Sequence, residues 1–256
     1  METLNAKATT GKIVRVRIGA DLEEVGEIAA GLIAETIREI DEPAISFAGG
    51  STPLPAYRRL VEQVAAGVLS FRKVRAFLVG EWFDLPAGDP RTFRHQLDGK
   101  LFDQVDAPKE RIHYFEGRVE DHMRMCFEFE RALRVVGGID LQLLGIGANG
   151  HVAFNEPGTA VDARTRLIKL TETTRLSYAD YFDSLSAVPR YALTQGLANI
   201  LESRRIVLVA RGNRKDEAVY RSLKEPVTAD LPASHLQHFD GELIYVLDRA
   251  AARLLL

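Results

Sequence analysis

Apolar and polar residues alternate along this chain with two different periods. Short apolar runs predict strands at residues 13–18, 44–48, 74–79, 111–115, 139–144, 206–210 and 243–247. Between several of them, apolar residues recur at intervals of three and four, which predicts amphipathic helices at residues 22–40, from 53 onward, at 93–102 and at 119–135. Regular alternation of strand and helix favours an α/β fold with a mostly parallel sheet and helices on both faces.

Composition limits the domain count and the class of partner. The 256 residues are 46% hydrophobic and 27% charged, which suits one α/β domain over residues 13–256 after a loose polar tail at 1–12. The net charge of -3 gives no global attraction for nucleic acid or an anionic membrane, and no apolar run approaches the roughly 20 residues of a membrane helix. The single cysteine, Cys126, cannot form an internal disulfide. We therefore expect a cytoplasmic protein with a small-molecule partner.

Two predicted strands lead into loops that favour an anion. After the strand at 44–48 come Gly49, Gly50, Ser51 and Thr52, just before a helix that begins near residue 53, and helix N-termini attract phosphate. The alternative is a tight turn with Thr52 as an ordinary N-cap. Lys215, at the end of another strand, is a cation on the same edge of the sheet.

The loop at residues 145–157, GIGANGHVAFNEP, concentrates glycines, an imidazole and a carboxylate. His151 is the side chain there whose ordinary pKa of about 6.5 suits proton transfer, and Glu156 is close enough in sequence to orient it. No second His or Cys stands at a metal-ligand spacing, so we predict no metal site. A GxSxG nucleophile motif is also missing from the sequence.

These motifs resemble the glucosamine-6-phosphate deaminase family, which is related to the 6-phosphogluconolactonases and, more distantly, to ribose-5-phosphate isomerases. The similarity spans nearly the whole chain, and its most specific part is the run from Gly147 to Pro157, which resembles the GxxGHxxFNEP signature. The resemblance implies a Rossmann-like deaminase fold and no cofactor. It also implies that His151 opens the sugar ring, assisted by Glu156 and Asn149.

Two positions depart from the family pattern. The family's enolising aspartate is replaced by Gly80, and a glycine cannot accept a proton. Glu81 follows it and stays a candidate catalytic residue, although neighbours on an extended backbone point in opposite directions. The place of the family's phosphate-binding arginine holds Asp180, so either Arg175 or Lys169 compensates or the ligand differs.

Three functions remain open. The first is an amino-sugar-phosphate deaminase/isomerase that acts on glucosamine 6-phosphate or galactosamine 6-phosphate. The second is a sugar-lactone hydrolase, which needs no enolising base. The third is a catalytically impaired homologue that only binds a sugar phosphate. The sequence also leaves open a homo-oligomer.

Overall fold

Two β-sheets organise the chain in the computed structural model, which describes residues 2–86, 88–115 and 122–256. The strands are β1 (Glu2–Lys7), β2 (Ile13–Gly19), β3 (Ala44–Phe47), β4 (Arg75–Leu78), β5 (Gly80–Trp82), β6 (Ile112–His113), β7 (Leu141–Gly145), β8 (Arg166–Lys169), β9 (Tyr191–Thr194), β10 (Arg205–Ala210) and β11 (Glu242–Asp248). The α-helices are α1 (Leu22–Glu39), α2 (Leu54–Ala65), α3 (Phe93–Lys100), α4 (His122–Val135), α5 (Glu172–Ser177), α6 (Leu197–Leu201) and α7 (Asp216–Lys224).

The main sheet has the strand order β1-β2-β11-β10-β7-β3-β4-β6. In this spatial order, each pair of adjacent strands from β2 to β6 is parallel. β1, at the other edge, runs antiparallel to β2. The predicted mostly parallel sheet is therefore confirmed. Because parallel strands share their carboxyl edge, the loops after β3, β4, β7, β10 and β11 meet on one side of the molecule.

Both faces of the main sheet are covered. Along β10, Val207 and Val209 belong to the core beneath α1 to α4, whereas Ile206 and Leu208 belong to the core beneath α6 and α7. Residues on a strand alternate between its faces, so a run that is apolar at every position requires two cores. This explains why the central strands read as continuous apolar runs.

The amino-terminal segment is not a loose tail, so that expectation was wrong. Residues 2–7 form β1 and pair with β2 in the register Glu2↔Ile18. Thr9 Oγ1 then donates to Gln237 Oε1 at 2.6 Å, and Lys12 Nζ donates to Gly241 O at 3.0 Å. The segment has few large apolar residues, but the free edge of β2 accepts its backbone, and that edge is visible only in the assembled sheet.

A short second sheet, β5-β9-β8, is antiparallel and lies directly after β4. The predicted strand at 74–79 therefore ends at Leu78, and the chain enters β5 at Gly80. Gly80 pairs with Thr194 and Glu81 with Leu193. As neighbours on β5, Gly80 and Glu81 face opposite sides of this short sheet.

The predicted helix at 119–135 is found as α4 from His122, and its first three predicted residues lie outside the described ranges. Within the described ranges, no helix is both long enough and apolar enough to cross a membrane.

Candidate active site

A cleft of about 570 Å³ opens at the carboxyl edge of the main sheet. Three segments dominate its walls: the loop before α2, the loop after β7 and the turn between β10 and α7. The lining residues include Gly49, Gly50, Ser51, Thr52, Gly80, Phe93, Ala148, His151, Ala153, Phe154, Tyr178, Arg211, Arg214, Lys215 and Asp248. The cleft thus joins the predicted anion loop to the loop of His151.

Glycines shape the loop after β7 around the imidazole. A Cβ on Gly147 would lie 2.2 Å from His151 Nδ1, so no larger residue fits beneath the ring. Gly150 has a φ of +79°, a left-handed conformation that side chains disfavour. Its carbonyl accepts the N–H of Ala233 at 2.8 Å, which anchors the loop to the segment before β11.

The tautomer of His151 follows from its neighbours. His151 Nδ1 lies 2.7 Å from Asn149 Oδ1, which also accepts the backbone N–H of His151 at 3.2 Å. The amide nitrogen of Asn149 donates to Glu156 Oε2 at 2.9 Å, so the amide cannot be reversed. Nδ1 therefore carries the proton and donates it to Asn149. Nε2 keeps its lone pair, and no described residue hydrogen bonds to it.

Glu156 is buried behind this pair. Its Oε1 accepts the N–H of Thr171 at 3.0 Å, and its Oε2 accepts the Thr171 hydroxyl at 3.2 Å and lies 3.9 Å from His151 Nδ1. Thr174 Oγ1, 3.2 Å from the same Nδ1, completes the support. Three predicted residues, His151, Asn149 and Glu156, are thus brought together as one hydrogen-bonded array.

The imidazole of His151 is neutral near pH 7. Burial lowers its pKa below the ordinary value, and the positive charge of Lys215 lowers it further, whereas the carboxylate of Glu156 acts in the opposite direction. A neutral imidazole with a free Nε2 is the form of histidine that accepts a proton.

The loop before α2 keeps backbone donors for an anion. Gly50, with a φ of +95°, donates its N–H to Gln96 Oε1 at 2.7 Å, which fixes the turn. The N-cap of α2 is Pro53, without a side-chain cap hydrogen bond, so the alternative reading of Thr52 as an N-cap is wrong. Within the described ranges, nothing accepts the N–H of Ser51 or Thr52.

Cations face this loop from the turn between β10 and α7. Lys215 is half-buried, burial lowers its pKa, and no described carboxylate pairs with its ammonium group. Arg211 and Arg214 also line the cleft, and Arg211 Nη2 donates to Ser51 Oγ at 3.3 Å. Lys215 thus lines the same cleft as the loop before α2.

Glu81 does not join the cleft, contrary to its candidacy as a catalytic residue. Its side chain is buried at the start of α3, where Oε1 accepts the N–H groups of Trp82 at 2.8 Å and Phe93 at 2.9 Å, and Oε2 accepts that of Arg94 at 2.7 Å. Burial raises the pKa of Glu81 to about 7, against the effect of these three donors. Glu81 thus satisfies free N–H groups at a helix N-terminus, a structural role.

Arg175 does not reach the cleft either. Its guanidinium donates to Leu185 O at 2.8 Å and Val188 O at 3.2 Å, and so closes the segment between α5 and β9. Lys169 and Asp180 are exposed, and neither lines the cleft. The prediction for Arg175 depends on its sequence position alone. Position in the sequence does not determine where a long side chain on the six-residue helix α5 points.

Aromatic rings pack around Phe154, which borders Gly80. Trp82 packs against Phe154 and Tyr178 at ring-centroid distances of 4.9 and 4.7 Å, and Phe93 stacks on Phe154 at 6.0 Å. Burial raises the pKa of Tyr178 to about 12, so its hydroxyl is a hydrogen-bond donor at neutral pH. The hydroxyl has no partner among the described residues, although Tyr178 lines the cleft.

Tyr178, Thr171 and Thr174 could not be singled out from the sequence. They reach the site because α5 and the residues on either side of it pack beside the loop of His151. A second cavity, of about 830 Å³, lies against β6, α3 and α4 and shares no lining residue with the cleft. The described ranges contain no group of three or more His, Cys, Asp or Glu side chains arranged to hold a metal ion.

Comparison with known sequences shows the family to which the chain is similar. The family model described as glucosamine-6-phosphate isomerases/6-phosphogluconolactonase matches residues 20–245. A glucosamine-6-phosphate deaminase from Rhodopirellula baltica is 43% identical over 243 residues, 95% of this chain and 96% of the relative. One from Mycolicibacterium smegmatis is 38% identical over 242 residues, 94% of this chain and 93% of the relative.

Solved structures confirm the predicted fold class. A monomeric glucosamine-6-phosphate deaminase has a TM-score of 0.90 at 36% identity, covering 93% of this chain and 99% of that chain. The 6-phosphogluconolactonase of Trypanosoma brucei has a TM-score of 0.79 at 22% identity, covering 94% of this chain and 98% of that chain. At this identity the likeness shows the fold alone.

Proposed function

Because the chain belongs to the glucosamine-6-phosphate isomerase/6-phosphogluconolactonase family, we propose that it is an amino-sugar-phosphate deaminase/isomerase. It opens the ring of a hexosamine 6-phosphate and converts the aldose to a ketose with release of ammonia. The observation that carries the proposal is the array of His151, Asn149 and Glu156 on a cleft whose opposite wall offers an anion site. The deaminases among its relatives are also more similar to this chain, at 34–43% identity, than the lactonase at 22%.

Ring opening requires that a proton leave the C1 hydroxyl and that one reach the ring oxygen. Neutral His151 takes the first proton on Nε2 and returns it to the ring oxygen as the C1–O bond to the ring breaks. In between, the imidazolium is stabilised by Asn149, which holds Nδ1–H at 2.7 Å, and by the carboxylate of Glu156 at 3.9 Å. In Ser-His-Asp enzymes a buried carboxylate likewise orients the catalytic histidine and stabilises its charged form.

The next step moves a proton from C2 to C1, and this cleft is poor in bases for it. The family's aspartate is replaced by Gly80. Of the described residues that line the cleft, Asp248 is the only carboxylate, and its oxygens accept the N–H groups of Gly212 and Ala251 at 2.7–3.0 Å. We therefore expect isomerisation, and not ring opening, to limit turnover.

The test is an assay of ammonia and ketose formation from glucosamine 6-phosphate and galactosamine 6-phosphate. We expect release from at least one substrate. In His151→Gln ring opening should slow by roughly 10²- to 10⁴-fold, the usual contribution of a general acid–base group, and kcat should fall as far as ring opening then becomes the slowest step. His238→Gln is the matched control, since His238 is exposed and does not line the cleft.

Two other results would replace the proposal. Hydrolysis of 6-phosphogluconolactone without ammonia release from either hexosamine would assign the chain to the lactonases, which need no enolising base. Binding of a hexosamine phosphate without either reaction would assign it as a binding homologue.

A cytoplasmic location belongs to the same proposal and is supported by the one cysteine, Cys126, which is buried and free. A homo-oligomer stays a prediction to be measured by light scattering, and the structurally similar deaminase is monomeric.

A further inference from the structure

The positive charge of the cleft comes from one short segment. Arg211, Arg214 and Lys215 line the cleft within five residues of one another, whereas the chain as a whole has a net charge of -3. The carboxylate of Asp248 is nearby, but its oxygens already accept backbone N–H groups. The turn between β10 and α7 therefore creates a local positive field in an otherwise acidic protein.

Arg211 is the cation of this turn that reaches across to the anion loop. Its Nη2 donates to Ser51 Oγ at 3.3 Å, so the guanidinium lies beside the loop that precedes α2. The backbone under it is fixed, because Gly212 adopts a φ of +79° and donates its N–H to Asp248, and because the N–H of Lys215 donates to Gly212 O at 3.1 Å. The side chain of Arg211 thus extends from a turn with a fixed backbone to the loop before α2.

The cations near the site but outside this turn, Arg175, Arg166 and Lys169, do not serve the cleft. The guanidinium of Arg175 serves two backbone carbonyls, and that of Arg166 donates to Asn155 Oδ1 at 3.0 Å and Thr159 Oγ1 at 3.1 Å. Lys169 is exposed on β8 and does not line the cleft. Asp180 carries the wrong charge for an anion. Arg211 is the arginine that contacts this loop at Ser51, and the N–H groups of Ser51 and Thr52 have no acceptor among the described residues.

We propose that Arg211 is the phosphate-contacting arginine of this chain and that it selects phosphorylated over unphosphorylated sugars. A phosphate at the loop before α2 accepts the N–H groups of Ser51 and Thr52, and the fork of Arg211 reaches its outer oxygens from the side where it now contacts Ser51. Lys215, deeper in the cleft, supplies a second charge. This inference rests on the proposed function, since it takes a phosphosugar as the ligand.

The experiment measures binding, so it does not depend on turnover. Titration calorimetry with glucosamine 6-phosphate, glucosamine and inorganic phosphate compares the wild type with Arg211→Gln, Arg211→Lys and Arg214→Gln. In Arg211→Gln we expect the Kd for glucosamine 6-phosphate and for phosphate to rise about tenfold or more, with the Kd for glucosamine unchanged. Arg211→Lys should be intermediate, because it keeps the charge and loses the fork.

Arg214→Gln removes the same charge from the same turn and is the matched comparison. An equal loss in the Arg211 and Arg214 variants would show a diffuse field and overturn the contact. An unchanged preference of Arg211→Gln for the phosphorylated sugar would also overturn the proposed contact. If the wild type itself did not prefer glucosamine 6-phosphate to glucosamine, the proposed function would fail, and the role of Arg211 with it.

Two further measurements separate contact from folding and from chemistry. Arg211 is exposed, so the thermal midpoint of Arg211→Gln should match that of the wild type, and a lower midpoint would point to a structural role. In the deaminase assay KM should rise while kcat stays the same, because a remote phosphate contact binds substrate and transition state equally.

Discussion

The sharpest prediction concerns Gly80, where the family pattern has an enolising base. Gly80 is buried at the first position of β5 and lines the cleft. Gly80→Asp would bring a carboxylate to that wall, on the side opposite to Glu81. A positioned general base typically contributes 10²- to 10⁴-fold, so ammonia release should rise by up to this factor if the proton transfer limits turnover.

The structure also predicts that Gly80→Asp is less stable than the wild type. A Cβ on Gly80 would lie 2.9 Å from Leu193 O and 3.0 Å from Phe154 Cδ2. The Leu193 carbonyl belongs to β9, the pairing partner of β5, so it cannot shift without disturbing the ladder. Overpacking of this kind costs about 1–3 kcal/mol. At about 3 °C per kcal/mol for a protein of this size, the thermal midpoint should fall by about 3–9 °C.

Gly80→Asn and Gly80→Ala are the controls. Asn has the shape of Asp without a basic carboxylate, and Ala adds the Cβ alone, so both should lose stability like Gly80→Asp and neither should gain activity. Ammonia release is measured well below the lowest midpoint, with glucosamine 6-phosphate binding checked by calorimetry. The reasoning is refuted if folded, ligand-binding Gly80→Asp releases ammonia no faster than Gly80→Asn.

Four further predictions concern stability, substrate contact and pH. Glu81→Ala should lower the free energy of unfolding by about 3 kcal/mol, because three backbone N–H groups lose their acceptor; calorimetry measures this, and a stable variant without activity would return Glu81 to the catalytic candidates. Since burial raises the pKa of Glu81 to about 7, its protonated form is favoured by folding, so the stability of the wild type relative to Glu81→Ala should be greatest below pH 4.5 and should fall as the pH rises through 7. Tyr178→Phe should keep the thermal midpoint, since the hydroxyl has no described partner, and should lower kcat/KM roughly tenfold if that hydroxyl binds substrate; unchanged kinetics would exclude this contact. Because burial lowers the pKa of His151, kcat/KM should stay level as the pH falls from 7.5 to about 6, and a half-loss near the ordinary histidine pKa of about 6.5 would contradict the neutral, buried imidazole.

The fold class and the centre of the site could be predicted from the amino-acid sequence. Continuous apolar runs such as residues 206–210 require cores on both faces of a parallel sheet, because neighbouring residues of a strand point in opposite directions. The glycines around His151 also have a local cause, since the imidazole packs directly on Gly147 and the turn needs a left-handed φ at Gly150. Such features depend on residues a few positions apart, so the sequence contains them.

The tertiary structure alone decided where the remaining polar side chains point. Glu81 follows Gly80 directly, yet it reaches the start of α3 because the chain changes sheets between β4 and β5. Arg175 lies near the site in sequence but serves carbonyls beyond α5, whereas Arg211 meets Ser51 from 160 residues away. The edge of β2 that orders the amino terminus exists only in the assembled sheet. Each of these outcomes depends on contacts between segments distant in sequence, and no local period or spacing encodes them.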